Sequence, residues 1–344
     1  MSAAPHVTVL SLGGTISSAP PADGRLARPA LSAADLVAAV PALERVAEIE
    51  VRDVRRLPSN DMTFAIARTV ADEIRAAVGR GAAGVVVTQG TDTIEEMAYA
   101  WDLLVAGDAP TVVTGAMRHA ALASADGAGN LLAAVRVASD AWVRKNAKAL
   151  GVLAVMLDEV YAAADVAKVH PTRLNAFAST QTGPLAALVE DRIVPLSLPV
   201  RDAVVAARKK LAGVSGKASP VALFWMSLDD DAALMSMMLA ASDHAGFRGA
   251  VIAAMGGGHI TERSADNVRR LAKAMPTVIA PRAGAGGPML RQTYGGPSAE
   301  IELRRAGLIW GGRLHPLKAR MLLETCLRAG LDRLTINELF DAFG

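Results

Sequence analysis

A single cysteine, Cys326, stands in a chain of 344 residues, which excludes an internal disulfide and a thiolate metal cluster. Aromatic residues make up only 4% against 52% hydrophobic, so any core must be filled mainly by Ala, Val and Leu. No stretch approaches the roughly 18 uninterrupted apolar residues of a membrane span. Charge of one sign is also missing: 36 basic residues against 34 acidic leave a net +2, too little for broad attraction to nucleic acid. The basic clusters "VRDVRRL" and "AARKK" read as solvated faces. The N-terminal "MSAAPHVTVLSLGG" has neither a basic segment nor a long apolar run, so a soluble, cytoplasmic chain is expected.

The six histidines form no H-x-x-H or H-E-x-x-H pattern. "GAMRHAALASADG" offers His119 and Asp126 but no third ligand, so no metal is expected. The glycine loop "LGGTISS" lacks the G-x-G-x-x-G spacing of a dinucleotide site and the Gly-Lys-Ser/Thr of a phosphate loop, so no nucleotide cofactor is expected either.

What is present is a rhythm. "HVTVLSL", "GVVVTQG", "PTVVTGA" and "GVLAVML" are strands without polar alternation. They interleave with helices in "SAADLVAAV", "MTFAIARTVADEIRAAV", "TIEEMAYAWDLLVA" and "GNLLAAVRVASDAWV", residues 129–143. Such a pattern predicts a mostly parallel sheet covered on both faces, an α/β fold. Residues 1–195 are expected to form this N-terminal domain, residues 196–220 a linker with Pro199 and "GVSGKASP", and residues 221–344 a smaller α/β C-terminal domain. In the C-terminal part the rhythm resumes with "VALFWM", "GAVIAAM" and "PTVIAP" as strands.

Ligands in such folds bind where strands end and helices begin. The unusual residues lie there: Gly13, Gly14 and Thr15 after the first strand, Thr88 to Thr93 after a later one, Thr114 to Met117 after the next. Together they predict one pocket. Gly13 and Gly14 could simply shape a turn with Thr15 as a cap, or let the backbone approach a ligand. Thr91, Asp92 and Thr93 supply more polar groups than one helix cap uses, while Glu95 and Glu96 read as ordinary first-turn acids. A threonine nucleophile needs a base, and "YAAADVAKVHP" offers Lys168 and His170.

Taken together, "LSLGGTISS", "VVVTQGTDTIEEMAY", "PTVVTGAMR…SADGAGNLLAAV" and "GGRLHPLKARMLLE" resemble the bacterial-type L-asparaginase (asparaginase/glutaminase) family of threonine-nucleophile amidohydrolases. The resemblance runs from residue 7 to residue 343. It implies a flavodoxin-like N-terminal domain and cofactor-free hydrolysis of L-asparagine to L-aspartate and ammonia. By this resemblance Thr15 attacks the amide and forms an acyl-enzyme, and Thr91, Asp92 and Lys168 form the second catalytic cluster. Asp92 also holds the substrate ammonium and Ser59 its carboxylate. The backbone at Gly14 and Gly90 approaches the substrate, Ala116 lines the pocket near the leaving amide, and Glu300 reaches toward the substrate amine across a subunit interface. A homodimer or homotetramer is implied.

The sequence also departs from that family. The loop "SSAPPADGRLARPALSAAD" has no tyrosine where the family carries one that helps activate the attacking threonine. His259, in "MGGGHI", falls at an asparagine position, and Val169 stands where a hydroxyl is common. An amidohydrolase for L-glutamine, a D-amino-acid amide or another small amide is the nearest alternative. A non-catalytic amino-acid-binding protein on the same scaffold is the second.

Overall fold

Residues 4–19, 28–29, 31–105, 107–179, 181–288 and 294–343 are described by a computed structural model. Residues 20–27 of the tyrosine-free loop lie outside the described residues. The chain divides into two units, Met1–Arg208 and Lys209–Gly344.

The first unit is built on an eight-stranded sheet. Its spatial order is Arg192–Pro195, Ala186–Val189, Glu159–Ala162, Val152–Met156, Thr111–Thr114, Gly84–Thr88, His6–Ser11 and Glu48–Asp53. The last five run parallel. Every residue of Gly84–Thr88 is buried, as a parallel strand covered on both faces requires. Each of its three valines contributes about 1.5–3 kcal/mol of burial. At the other side the chain turns back through Leu157 and Asp158, both at positive φ (48° and 63°), into the antiparallel strand Glu159–Ala162. The sheet is therefore mixed rather than wholly parallel.

The helix Phe64–Gly79 starts where the Thr63 side chain accepts the Ile66 N–H, and it buries Ala67, Val70, Ala71, Ile74 and Ala77. The stretch expected as one helix over 129–143 is two, Gly127–Ser139 and Ala141–Leu150. Asp140 separates them, because its carboxylate accepts the Trp142 and Val143 N–H groups and starts a new helix. The segment expected as a linker carries the helix Asp202–Leu211. "AARKK" there is only partly solvated: Lys209 and Lys210 are exposed, but Arg208 is buried against Asp102.

The second unit holds a four-stranded, all-parallel sheet in the order Val221–Trp225, Gly249–Ala254, Thr277–Pro281 and Ile309–Trp310. Its core includes Met226, Met235, Ile252, Val268, Leu271, Ile279 and Leu303. Among the described residues no helix is long and apolar enough to cross a membrane.

Candidate active site

His6–Ser11, Gly84–Thr88 and Thr111–Thr114 are consecutive in the sheet, so the three polar segments that follow them emerge side by side. Glycine brings the first two into backbone contact. Gly13 and Gly14 take φ of 96° and 84°, and a Cβ on Gly14 would lie 2.1 Å from the Gly90 nitrogen. On Gly90 a Cβ would meet the Ser59 hydroxyl at 2.9 Å. Any side chain at either position would push the loops apart.

The Gly14 carbonyl accepts the Ser17 N–H at 3.1 Å and the Ser17 and Ser18 hydroxyls at 3.1 and 2.8 Å. These bonds fix the turn without engaging the Thr15 hydroxyl, and Thr15 is half-buried at the start of the short helix Thr15–Ser17.

Ser59 opens the short helix Ser59–Asp61 and is buried. Its hydroxyl donates to Asp92 Oδ2 at 3.1 Å, and the Thr93 hydroxyl donates to its carbonyl at 2.9 Å. The "LPSNDM" turn is thus tied to the "TQGTDT" turn through side chains 33 and 34 residues apart.

Lys168 arrives from the short strand Val166–Lys168, which pairs antiparallel with Phe177–Ser179. Its ammonium donates to Thr91 Oγ1 at 2.9 Å and to Asp92 Oδ1 at 2.6 Å. The lysine side chain is only 13% exposed while that of Asp92 is 63% exposed. Hydrogen bonding from Lys168, followed by its charge and the Ser59 hydroxyl, outweighs partial burial and holds the Asp92 carboxyl below its ordinary range. Asp92 is therefore ionised at neutral pH. An ammonium pointed at the Thr91 oxygen lowers the cost of an alkoxide there. Once it has lost its proton, the amine would be an acceptor placed to take one from that hydroxyl.

His170, the other candidate base, turns its Nδ1 to accept the backbone N–H groups of Thr172 and Arg173 at 3.1 and 3.0 Å. It lines a cleft of about 350 Å³ with Asp92, Glu95, Lys168, Val169 and Pro171. Glu95 is more than a first-turn acid, since its Oε2 accepts the Lys168 backbone N–H at 3.3 Å. Nothing local could have indicated this, because donor and acceptor are 73 residues apart.

Ala116 is fully buried in the turn after Thr111–Thr114. Glu300 lies in the second unit at the start of the helix Glu300–Arg305 and is also buried. Its carboxylate has no hydrogen-bond partner among the described residues, and His259 Nε2 stands 3.3 Å from Oε2. Among the described residues no group of three or more His, Cys, Asp or Glu side chains could hold a metal ion.

Hydroxyl, ammonium and carboxylate meet near the carboxyl ends of parallel strands, a candidate site for acyl chemistry in an α/β fold. Comparison with known proteins gives the family. The N-terminal asparaginase domain family matches residues 6–200, and the glutaminase/asparaginase C-terminal domain family matches residues 221–340. The chain is 30% identical to a Haemophilus influenzae protein named "Probable L-asparaginase periplasmic", over 98% of this chain and 93% of that one. It is also 30% identical to the "Glutaminase-asparaginase" of Pseudomonas aeruginosa, over 97% and 90% of the two chains. The crystal structure of the "Probable Cytoplasmic L-asparaginase" of Campylobacter jejuni superposes with a TM-score of 0.81 at 27% identity, covering 98% of this chain and 99% of that one. The chain belongs to the asparaginase/glutaminase-asparaginase family and is an enzyme of the amidohydrolase class.

Proposed function

We propose that this enzyme hydrolyses L-asparagine to L-aspartate and ammonia through an acyl-enzyme on Thr15. The Thr15 oxygen bonds to the amide carbon, the C–N bond breaks, and ammonia leaves with the proton gained in that step. Water then adds to the ester carbon and releases aspartate and the free hydroxyl. Lys168, Thr91 and Asp92 manage the protons, Asp92 and Ser59 take the substrate's ammonium and carboxylate, and Gly14 and Gly90 bring backbone N–H groups close to the oxyanion. Ala116 closes the pocket beside the leaving amide.

The observation that carries this reading is the reach of one half-buried lysine to both Thr91 Oγ1 and Asp92 Oδ1, at 2.9 and 2.6 Å. A cap for the helix Ile94–Leu104 would need neither contact. Glutamine is the second reading, supported by the name of the Pseudomonas aeruginosa relative. In the same reading the protein is cytoplasmic, as the Campylobacter jejuni protein is named, and a homodimer or homotetramer in which Glu300 serves a neighbouring copy's site.

The test is ammonia release from L-Asn, L-Gln, D-Asn and simple amides. L-Asn should give the highest kcat/KM, and Thr15→Ala should lose at least about a thousandfold in kcat. Full activity in that variant would remove Thr15 as nucleophile. No release from any amide would favour a binding protein on the same scaffold.

A further inference from the structure

The helix Gly127–Ser139 begins with an aspartate that does not cap it. Asp126 sits at the N-cap position and is buried, yet its side chain accepts no backbone N–H from its own helix. An N-cap aspartate ordinarily bonds the second or third helical N–H. Here both oxygens are turned to the preceding chain: Oδ2 accepts the Met117 N–H and Oδ1 the Arg118 N–H, each at 2.9 Å.

One turn along the helix, the buried Asn130 completes the arrangement. Its amide N–H groups donate to Asp126 Oδ2 and to the Gly115 carbonyl, both at 3.0 Å. Its own Oδ1 accepts the Leu157 N–H at 3.0 Å, at the hairpin turn whose φ of 48° is unfavourable for a branched residue. The turn from Gly115 to Arg118, which carries Ala116, is thus fixed at its carbonyl end and at two amides by two side chains of one helix.

That turn and the helix start behind it reach both threonine segments. A Cβ on Gly115 would lie 3.2 Å from Thr91 Cγ2 and 2.6 Å from the Gln89 carbonyl. On Gly127, the residue after Asp126, a Cβ would lie 3.1 Å from Ile16 Cγ1 and 3.4 Å from Ala116 Cβ. One side of the clamp therefore packs on Thr91 and the other on the neighbour of Thr15.

We propose that Asp126 and Asn130 are positioning residues for amide hydrolysis: by locking the Gly115–Arg118 turn they set the placement of Thr15 relative to Thr91. The proposal rests on the function proposed above. It follows from a general sensitivity, since displacing reacting groups by about 1 Å costs on the order of 100-fold in rate. Ser59 and Asp92, which would hold the substrate's charges, belong to other segments, and the turn brings only Ala116 to the pocket, so the effect should fall mainly on kcat.

The test measures kcat and KM separately in the full-length enzyme, per folded molecule, with folding followed by near-ultraviolet circular dichroism. Asp126→Asn keeps the shape and one acceptor oxygen but sets an amide N–H against a backbone N–H. It should lower kcat roughly 10- to 100-fold with KM within about threefold of wild type. Asp126→Ala should lose more, so that the asparagine variant counts as partial rescue. Asn130→Ala should lower kcat about tenfold by freeing the Gly115 carbonyl.

A folded Asp126→Asn enzyme with wild-type kcat overturns the proposal, and so does a loss confined to KM. If neither Asp126 variant folds, Asn130→Ala decides: a lower kcat at unchanged KM supports the proposal, and wild-type kcat overturns it. Wild-type protein inactive on every amide would remove the functional reading and this proposal with it. An active wild type with insensitive variants removes the proposal alone.

Discussion

The helix Ile94–Leu104 has a carboxylate at each end, and the two do opposite work. Asp92, just before its start, is largely exposed and meets a lysine ammonium and a serine hydroxyl. Asp102, in its last turn, is fully buried and accepts Arg208 Nη2 at 2.6 and 2.7 Å, Arg201 Nη2 at 3.1 Å and the Val152 N–H at 2.8 Å. Gly151 permits that closeness, since a Cβ there would lie 2.1 Å from Asp102 Oδ1. Both carboxyls are held below their ordinary range. At Asp102 burial pushes upward and the two guanidiniums outweigh it, whereas at Asp92 the Lys168 hydrogen bond leads. A lowered carboxyl pKa therefore does not by itself mark a catalytic group. What separates the two ends is access: one carboxylate lines an open cleft, and the other has every neighbour supplied by the fold.

The contrast breaks most readily at the front end. Lys168→Met should reduce kcat by about 10²–10⁴-fold, because the proposed base and the charge beside Thr91 go together. Thermal and denaturant midpoints should scarcely move, since the exposed Asp92 can be hydrated in place of its partner. A Lys168→Met protein that kept wild-type ammonia release would end the assignment of that cluster to chemistry.

At the rear end, Asp102→Ala should cost about 3–5 kcal/mol of unfolding free energy, because it leaves Arg208 buried without its counter-charge. Equilibrium denaturation measures this, and the folded fraction should retain kcat. Loss of kcat in fully folded Asp102→Ala would show that the two ends are not separable.

Acid sharpens the same contrast more gently. The native pKa of Asp102 lies below its unfolded value of about 3.9. Its stabilisation is therefore complete above that value and is lost as pH falls through the native pKa. Asp102→Asn should flatten the fall of the denaturation midpoint below about pH 4 more than Asp92→Asn, because the lowered Asp92 carboxyl is exposed and its ion pair is screened by solvent. Equal flattening by both variants would contradict the distinction.

The smallest effect belongs to Glu95→Gln. It keeps an acceptor for the Lys168 N–H but removes a charge from the cleft, and should change kcat/KM only a few-fold, on the order of 1 kcal/mol or less. A hundredfold loss would place Glu95 among the groups that touch substrate.

Much of the fold was legible because its signals are local. The unbroken apolar runs at 84–88 and 111–114 are the strands they suggest, and their polar ends converge on one side of the sheet. Less legible was whatever depends on a partner far along the chain. "AARKK" looks like a solvated run, and nothing nearby shows that Arg208 meets Asp102, 106 residues away. In the sequence Asp126 stands out only beside His119 as an incomplete metal pair, and only the path of the preceding turn shows what its oxygens hold. The antiparallel strands beyond Val152–Met156 are short, and their pairing depends on a turn at Leu157 and Asp158 that carries no glycine signal.

By itself the sequence determined the alternation of strands and helices and the glycines at the strand ends, because hydrophobic periodicity and positive φ are properties of a few neighbouring residues. Only the tertiary structure decided that Lys168 meets Thr91 and Asp92, that Glu95 holds the Lys168 backbone, and that of two carboxylates on one helix Asp92 faces the cleft while Asp102 is sealed inside. Those outcomes depend on contacts across 73 to 106 residues, and chain packing, not local pattern, selects them.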